Sequence, residues 1–189
     1  MDIEVRPCQS VQELGGALNA ISHYFGNEQT VEGAEQFAQW IDVERMHAAW
    51  EGDAIVGGAG AFTYEMSVPG GSVPAAGVTV VGVLPTHRRR GVLTALMRAQ
   101  LDDARERGDA VAYLWASEAA IYPRFGYGLA SRNGEMTLPR ERTRFAEPFE
   151  ARGKVRLVGL EEAARVFPPL YGEVFAQRPG MFLRSKAWW

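Results

Sequence analysis

The chain has 189 residues, 47% of them hydrophobic and 23% charged, with five Trp, nine Phe and a formal net charge of −3. That is the composition of one globular domain, or of one domain and part of another, with ample material for a core. A slightly acidic balance excludes a general affinity for nucleic acid or an anionic membrane, and the single cysteine, Cys8, excludes an intrachain disulfide and fits a reducing cytoplasm.

The opening MDIEVRPCQS lacks a basic region followed by an apolar stretch, so no signal peptide is expected. No apolar run approaches the roughly 20 residues that a membrane span needs. "IEVRP" alternates and predicts a first strand. Val11, Leu14, Leu18 and Ile21 fall at helical spacing, which predicts a helix over Val11 to Phe25, and "GAEQFAQWI" predicts a shorter one. Two apolar runs around Glu51-Gly52-Asp53 predict a hairpin. "VPGGSVPAAG" reads as a loop on its Pro and Gly content.

"GVTVVGV", Gly77 to Val83, is β-branched and nearly all apolar, as a strand buried on both faces is. A helix follows from about Arg90 to Arg107, with Leu93, Leu96, Met97, Leu101 and Ala104 on one stripe. Arg98 with Asp102 and Asp103 with Arg107 are i,i+4 pairs on its outer face, and Gly108 is the C-cap. "AVAYLWA", Ala110 to Ala116, is a second buried strand. Strand, helix and strand at this spacing make a βαβ unit with parallel strands. Beyond it, "AAIYPRF" predicts a short helical segment. Asn133-Gly134 predicts a hairpin within "GYGLASRNGEMTLP". "KVRLVGL" predicts a strand, and "EEAARVFPPLYGEVFAQ" a helix interrupted at Pro168-Pro169. Trp188 and Trp189 have no obvious partner in these elements. Residues 1–148 therefore read as one domain, and 149–189 as a linker and the incomplete start of a second.

The stretch "LPTHRRRGVLTALM" places three arginines and a glycine at the mouth of a helix. A helix N-terminus already carries unpaired N–H groups and the positive end of the dipole, so arginine there is unfavourable unless an anion sits beside it. A phosphate would accept from those N–H groups and from the guanidinium groups. Gly91 would let the backbone approach closely. The plainer alternative is a solvated basic turn. Neither GxxxxGK[ST] nor GxGxxG is present, so this is not a Walker loop or a dinucleotide fingerprint. No His, Cys, Asp and Glu cluster has metal-ligand spacing. His87 reads as part of the turn.

Arg88-Arg89-Arg90-Gly91-Val92-Leu93, after a strand and opening a helix, resembles the Arg/Gln-x-x-Gly-x-Gly/Ala signature of the GNAT superfamily of acyl-CoA-dependent N-acetyltransferases. Leu93 departs from that signature. "VGVLPTHRRRGVLTALM" followed by "WASEAAIYPRFGYG" more narrowly resembles the Eis (enhanced intracellular survival) type of bacterial acetyltransferase, in which Leu at that position is tolerated. The resemblance covers most of the chain and is weakest before Glu44. It implies an α/β GNAT fold: a mixed central sheet with helices on both faces and a splayed central pair of parallel strands.

The resemblance also implies transfer of the acetyl group of acetyl-CoA to a primary amine. The acceptor would be a small molecule, aminoglycoside-like, or a lysine side chain. Val81 and Val83 would offer backbone groups to the pantetheine arm. Arg88, Arg89 and Gly91 would hold the pyrophosphate with Arg90 at its flank, and Ser117 would line the pocket. Tyr122 would protonate the departing thiolate, with Tyr127 and Tyr64 as alternatives. Trp115 stands where the family often carries His beside the acceptor, and Phe62 and Tyr64 are candidate acceptor walls. In the family the amine is deprotonated by the C-terminal carboxylate of the full-length chain. No base is assigned here. Glu118 is a nearby carboxylate that would equally stabilise a helix N-terminus. The alternative function is a non-catalytic acyl-CoA-binding regulatory module. No nucleic-acid or membrane partner is expected, and a homo-oligomer is compatible with the family.

Overall fold

The computed structural model describes residues 3–150 and 152–189. Five strands form one mixed sheet in chain order: β1 (Glu4–Pro7), β2 (Met46–Glu51), β3 (Ala54–Val68), β4 (Gly71–Val83) and β5 (Val111–Leu114). The first four are antiparallel neighbours, and β5 joins β4 in parallel. Helices α1 (Val11–Tyr24) and α2 (Val31–Phe37) cover one face, and α3 (Val92–Glu106) covers the other. Successive strand residues point to opposite faces. Ala48 accordingly packs with Leu14 and Leu18, while Ala49 packs with Val92 and Leu96.

Local chemistry sets these elements. The Ser10 hydroxyl caps α1 by accepting from the Glu13 N–H at 3.2 Å. Gly108, at φ +79°, closes the turn after α3. The outer face of α3 carries the expected Asp103–Arg107 ion pair at 2.8 Å, whereas Arg98 and Asp102 form none. Gly58 lets α1 lie directly on the sheet: a Cβ there would stand 2.6 Å from the Ala17 carbonyl oxygen. Buried Arg45 ties β2 to the far end of α3, donating to Thr63 at 3.0 Å and pairing with Asp109.

Several expected elements differ. "VPGGSVPAAG" is no loop: Pro69-Gly70 makes a tight turn and β4 starts at Gly71. Pro74 sits inside that strand. Its carbonyl accepts from Ala110 N, so its absent N–H faces the β5 side before β5 begins and costs no bond to β3. β5 is shorter than Ala110 to Ala116, and "AAIYPRF" folds as two 3₁₀ turns, Ala119–Ile121 and Pro123–Phe125. No hairpin forms at Asn133-Gly134 and no strand at "KVRLVGL". Leu129, Met136, Val155 and Leu157 are all exposed, and a hairpin with no neighbour to cover its apolar face is marginal in water. Helix α4 (Leu160–Gln177) runs unbroken through Pro168-Pro169. The carbonyls those prolines cannot bond belong to Ala164 and Arg165, both exposed residues, so the lost bonds are not buried.

The terminal tryptophans do have partners. β2 pairs with β3 only as far as Gly60, which leaves the edge of Ala61–Val68 open. Residues 180–183 take part of that edge through Gly180 N to Ser67 O (2.8 Å), Ser67 N to Met181 O (2.9 Å) and Leu183 N to Glu65 O (2.8 Å). Trp188 then stacks on Trp40 at 5.9 Å and meets Phe62 edge-on at 5.2 Å, while Trp189 meets Tyr171. No helix among the described residues is long and apolar enough to cross a membrane.

Candidate functional site

The site begins with a fault in the sheet. Gly60 pairs with Thr79, but Gly58 pairs with Gly82, so β4 takes three steps where β3 takes two. The extra residue is a β-bulge. Within it Val80 has φ +46°, a conformation that a β-branched residue adopts only where its surroundings impose it. Pairing between β4 and β5 covers only Ala75–Val78 with Val111–Leu114. β4 continues to Val83 paired with β3 but without β5 beside it.

The gap is a cleft of about 940 Å³. Val78–Val83 form one wall, and Leu114, Trp115, Ser117, Glu118 and Tyr122 form the other. The end of α1 closes it with Ala20, Ile21, Tyr24 and Phe25, and the Tyr24 hydroxyl donates to Glu118 Oε1 at 3.2 Å across the opening. Arg88, Arg89 and Gly91 border it as well, with the first turn of α3.

This border concentrates positive charge. The N-cap of α3 is Gly91, at φ +84°, with no side-chain cap bond and no acidic residue in the first turn. Open space lies beside its Cα, where a Cβ would meet nothing within 4 Å. The helix N–H groups and dipole are therefore uncompensated. Arg88 and Arg89 have no ion-pair partner among the described residues. The Arg88 guanidinium lies 5.6 Å from the Tyr24 ring centroid. Arg89 holds φ +64°.

Arg90 is placed differently. It pairs with Glu51, which also meets His87 Nε2 at 3.0 Å. Arg90 and His87 hold the Glu51 carboxyl below its ordinary range. Arg90 does not line the cleft; with His87 it ties the arginine turn to the end of β2.

Tyr122 sits between the two 3₁₀ turns with its ring on the cleft wall. Burial, and secondarily the Glu118 charge, raises its phenol pKa. Its ring meets Tyr127 edge-on at 5.9 Å. Tyr127 is pushed up to about 12, mainly by burial, and its hydroxyl has no partner among the described residues. Both phenols are thus held protonated. Tyr64 and Phe62 lie away from the cleft lining, in an aromatic cluster with Phe182 and Trp188. Trp115 lines the cleft and is 71% exposed. The sequence reading did not single out Tyr24; its signal is an aromatic residue at the end of α1 on the side of buried Ala17 and Ala20.

Residues 4–130 match the family described as acetyltransferase (GNAT) domain. The chain belongs to the GNAT acetyltransferase family. A GNAT relative from Streptomyces avermitilis, named only an uncharacterized N-acetyltransferase, is 43% identical over 162 residues, 83% of this chain and 40% of its own. N-acetyltransferase Eis of Mycobacterium tuberculosis is 39% identical over 146 residues, 75% of this chain and 36% of its own. The crystal structure of Eis1 from Mycobacterium abscessus superposes with a TM-score of 0.75 at 34% identity, covering 98% of this chain and 46% of that one. The chain spans less than half the length of these relatives. The family match covers the sheet, the bulge, the cleft and Tyr122, and ends before the exposed residues 131–150.

Proposed function

We propose that this GNAT domain carries an acetyl-CoA-dependent N-acetyltransferase site, which moves the acetyl group to a primary amine by direct attack in a ternary complex. The amine is that of an aminoglycoside-like small molecule or a lysine side chain. One observation carries the reading: β4 splays from β5 beside an uncapped helix N-terminus flanked by two unpaired arginines. A long ligand with a diphosphate at one end and an amide-bearing arm fits that combination. Residues 1–148 are assigned to this domain, and 149–189 to a linker and the start of a second unit.

Bound acetyl-CoA supplies an activated thioester. The chain's own residues hold and polarise it, while the amine attacks as the free base and gives up its proton to solvent. Arg88, Arg89 and the N–H groups at Gly91 hold the diphosphate. Val81 and Val83 bond the arm through backbone groups freed by the splay, with Ser117 on the opposite wall. The Val81 N–H stabilises the developing oxyanion. Tyr122, kept protonated by burial, donates to the departing sulfur. Trp115 walls the acceptor side.

The test is release of coenzyme A thiol from acetyl-CoA across a panel of primary amines. Amine-dependent release that Tyr122→Phe abolishes, with acetyl-CoA affinity kept, supports the reading. Tight acetyl-CoA binding without release for any amine would make the domain a binding module instead.

A further inference from the structure

Helix α3 presents an apolar stripe to the sheet, with one exception. Gln100 is 1% exposed. Its Nε2 donates to the Gly60 carbonyl at 2.6 Å, and its Oε1 has no partner among the described residues. Leu or Met would fill this place without burying an unsatisfied amide oxygen, so the polar side chain is costly here.

Its single bond goes to the bulge. Gly60 is the β3 residue at which the register with β4 shifts, and its partner Thr79 immediately precedes Val80. A Cβ on Gly60 would stand 3.2 Å from Val80 Cγ2, so Gly60 and Val80 are in close approach. A ladder carbonyl bonds within the sheet; the one at Gly60 takes a donor from the helix covering the α3 face. Val80 packs instead with the α1-side core, and Val81 with the α3-side core.

We propose that Gln100 is a positioning residue for the acyl-donor site. Its amide pins Gly60, the pinned bulge holds Val80 in its left-handed conformation, and that conformation presents Val81 to the cleft and carries β4 away from β5. The functional consequence rests on the acetyl-CoA reading; the mechanical one does not.

Two variants and two readouts test this. Gln100→Met keeps the length and removes the donor. Gln100→Glu donates only when protonated. Acetyl-CoA affinity is measured by calorimetry between about pH 5.5 and 8, where a buried carboxyl titrates. Backbone amide exchange at Val80–Gly82 is measured in the free protein. Gln100→Met should weaken binding about tenfold and speed exchange at Val80–Gly82 while α1 stays protected. Gln100→Glu should match that loss at high pH and recover both readouts as pH falls, relative to wild type.

Wild-type affinity and exchange in Gln100→Met would overturn the proposal, as would exchange rising equally throughout the sheet. If Gln100→Met does not fold, recovery of Gln100→Glu at low pH decides the question. If the wild type binds no acetyl-CoA, the proposed function fails, and the exchange at Val80–Gly82 still decides the role of Gln100.

Discussion

Arg90 is ion-paired to Glu51 at the turn between β2 and β3, and that contact separates it from its neighbours Arg88 and Arg89, which border the cleft. Three consecutive arginines therefore divide into one anchor and two that face the cleft, the pair proposed to hold the diphosphate. The anchoring carboxyl also holds His87, so the turn is fixed from both sides of the pair facing the cleft. Arg90→Ala should raise the acetyl-CoA dissociation constant less than about threefold. Arg88→Ala with Arg89→Ala should raise it tens of times, since each removes a charge-assisted contact to phosphate. Calorimetry on the two variants checks the division.

Tyr122→Phe keeps the ring and its contact with Tyr127 and removes only the hydroxyl. Turnover should fall about 10²- to 10⁴-fold, the usual worth of a positioned acid, with acetyl-CoA affinity unchanged. Tyr127→Phe should leave turnover within a few-fold of wild type, because the buried Tyr127 hydroxyl makes no bond that the change would break. Steady-state kinetics with a fixed amine separates the two phenols.

His47 lies on β2, 3% exposed, with burial lowering its pKa; the nearby Asp103 charge opposes that shift. The unfolded chain therefore binds a proton more readily than the folded one. Stability from this group is present above the unfolded pKa of about 6.5 and is lost as pH falls below it. The melting temperature should drop between pH 7.5 and 5.5, and His47→Leu should flatten that drop. Thermal unfolding at the two pH values checks the sign.

Gly58→Ala places a methyl group against the Ala17 carbonyl, part of helix backbone rather than a movable side-chain tip. Helix α1 must lift, at about 1–3 kcal/mol for overpacking a tight interface. Because α1 also closes the cleft through Tyr24, acetyl-CoA affinity should fall along with the melting temperature. A loss of stability with affinity intact would mean that α1 does not shape the cleft.

The central strand, α3 and the arginine turn are legible in the sequence because periodicity and charge are local properties. The apolar run from Gly77 to Val83 marks its strand and the repeat from Leu93 to Ala104 its helix. Residues 79–83 are only half-buried, however, because they border the cleft, and α3 is rotated so that Val92 and Gln100 are buried while Leu93 and Leu101 are half-buried. The bulge is not legible: Val80 looks like any core valine, and its positive φ comes from pairing with a strand some twenty positions earlier. The division among the arginines also depends on a distant partner, Glu51. Gln100 did leave a signal, a polar residue on the apolar stripe of α3. The failed hairpin at Asn133-Gly134 shows the converse limit: turn chemistry proposes a hairpin, and only a neighbouring surface stabilises it. The early start of β4 was hidden because Pro and Gly content marks loops on average, whereas Pro74 occupies a register position where its missing donor is harmless.

The most direct measurement is thermal unfolding with and without acetyl-CoA, for wild type and for the Arg88→Ala/Arg89→Ala pair. Saturating ligand at about a hundred times its dissociation constant adds about 2.7 kcal/mol to the form that binds it. If Arg88 and Arg89 hold the diphosphate, the wild-type midpoint rises and the variant's does not. A wild-type midpoint that acetyl-CoA leaves unchanged, or an equal shift in both proteins, would contradict that placement.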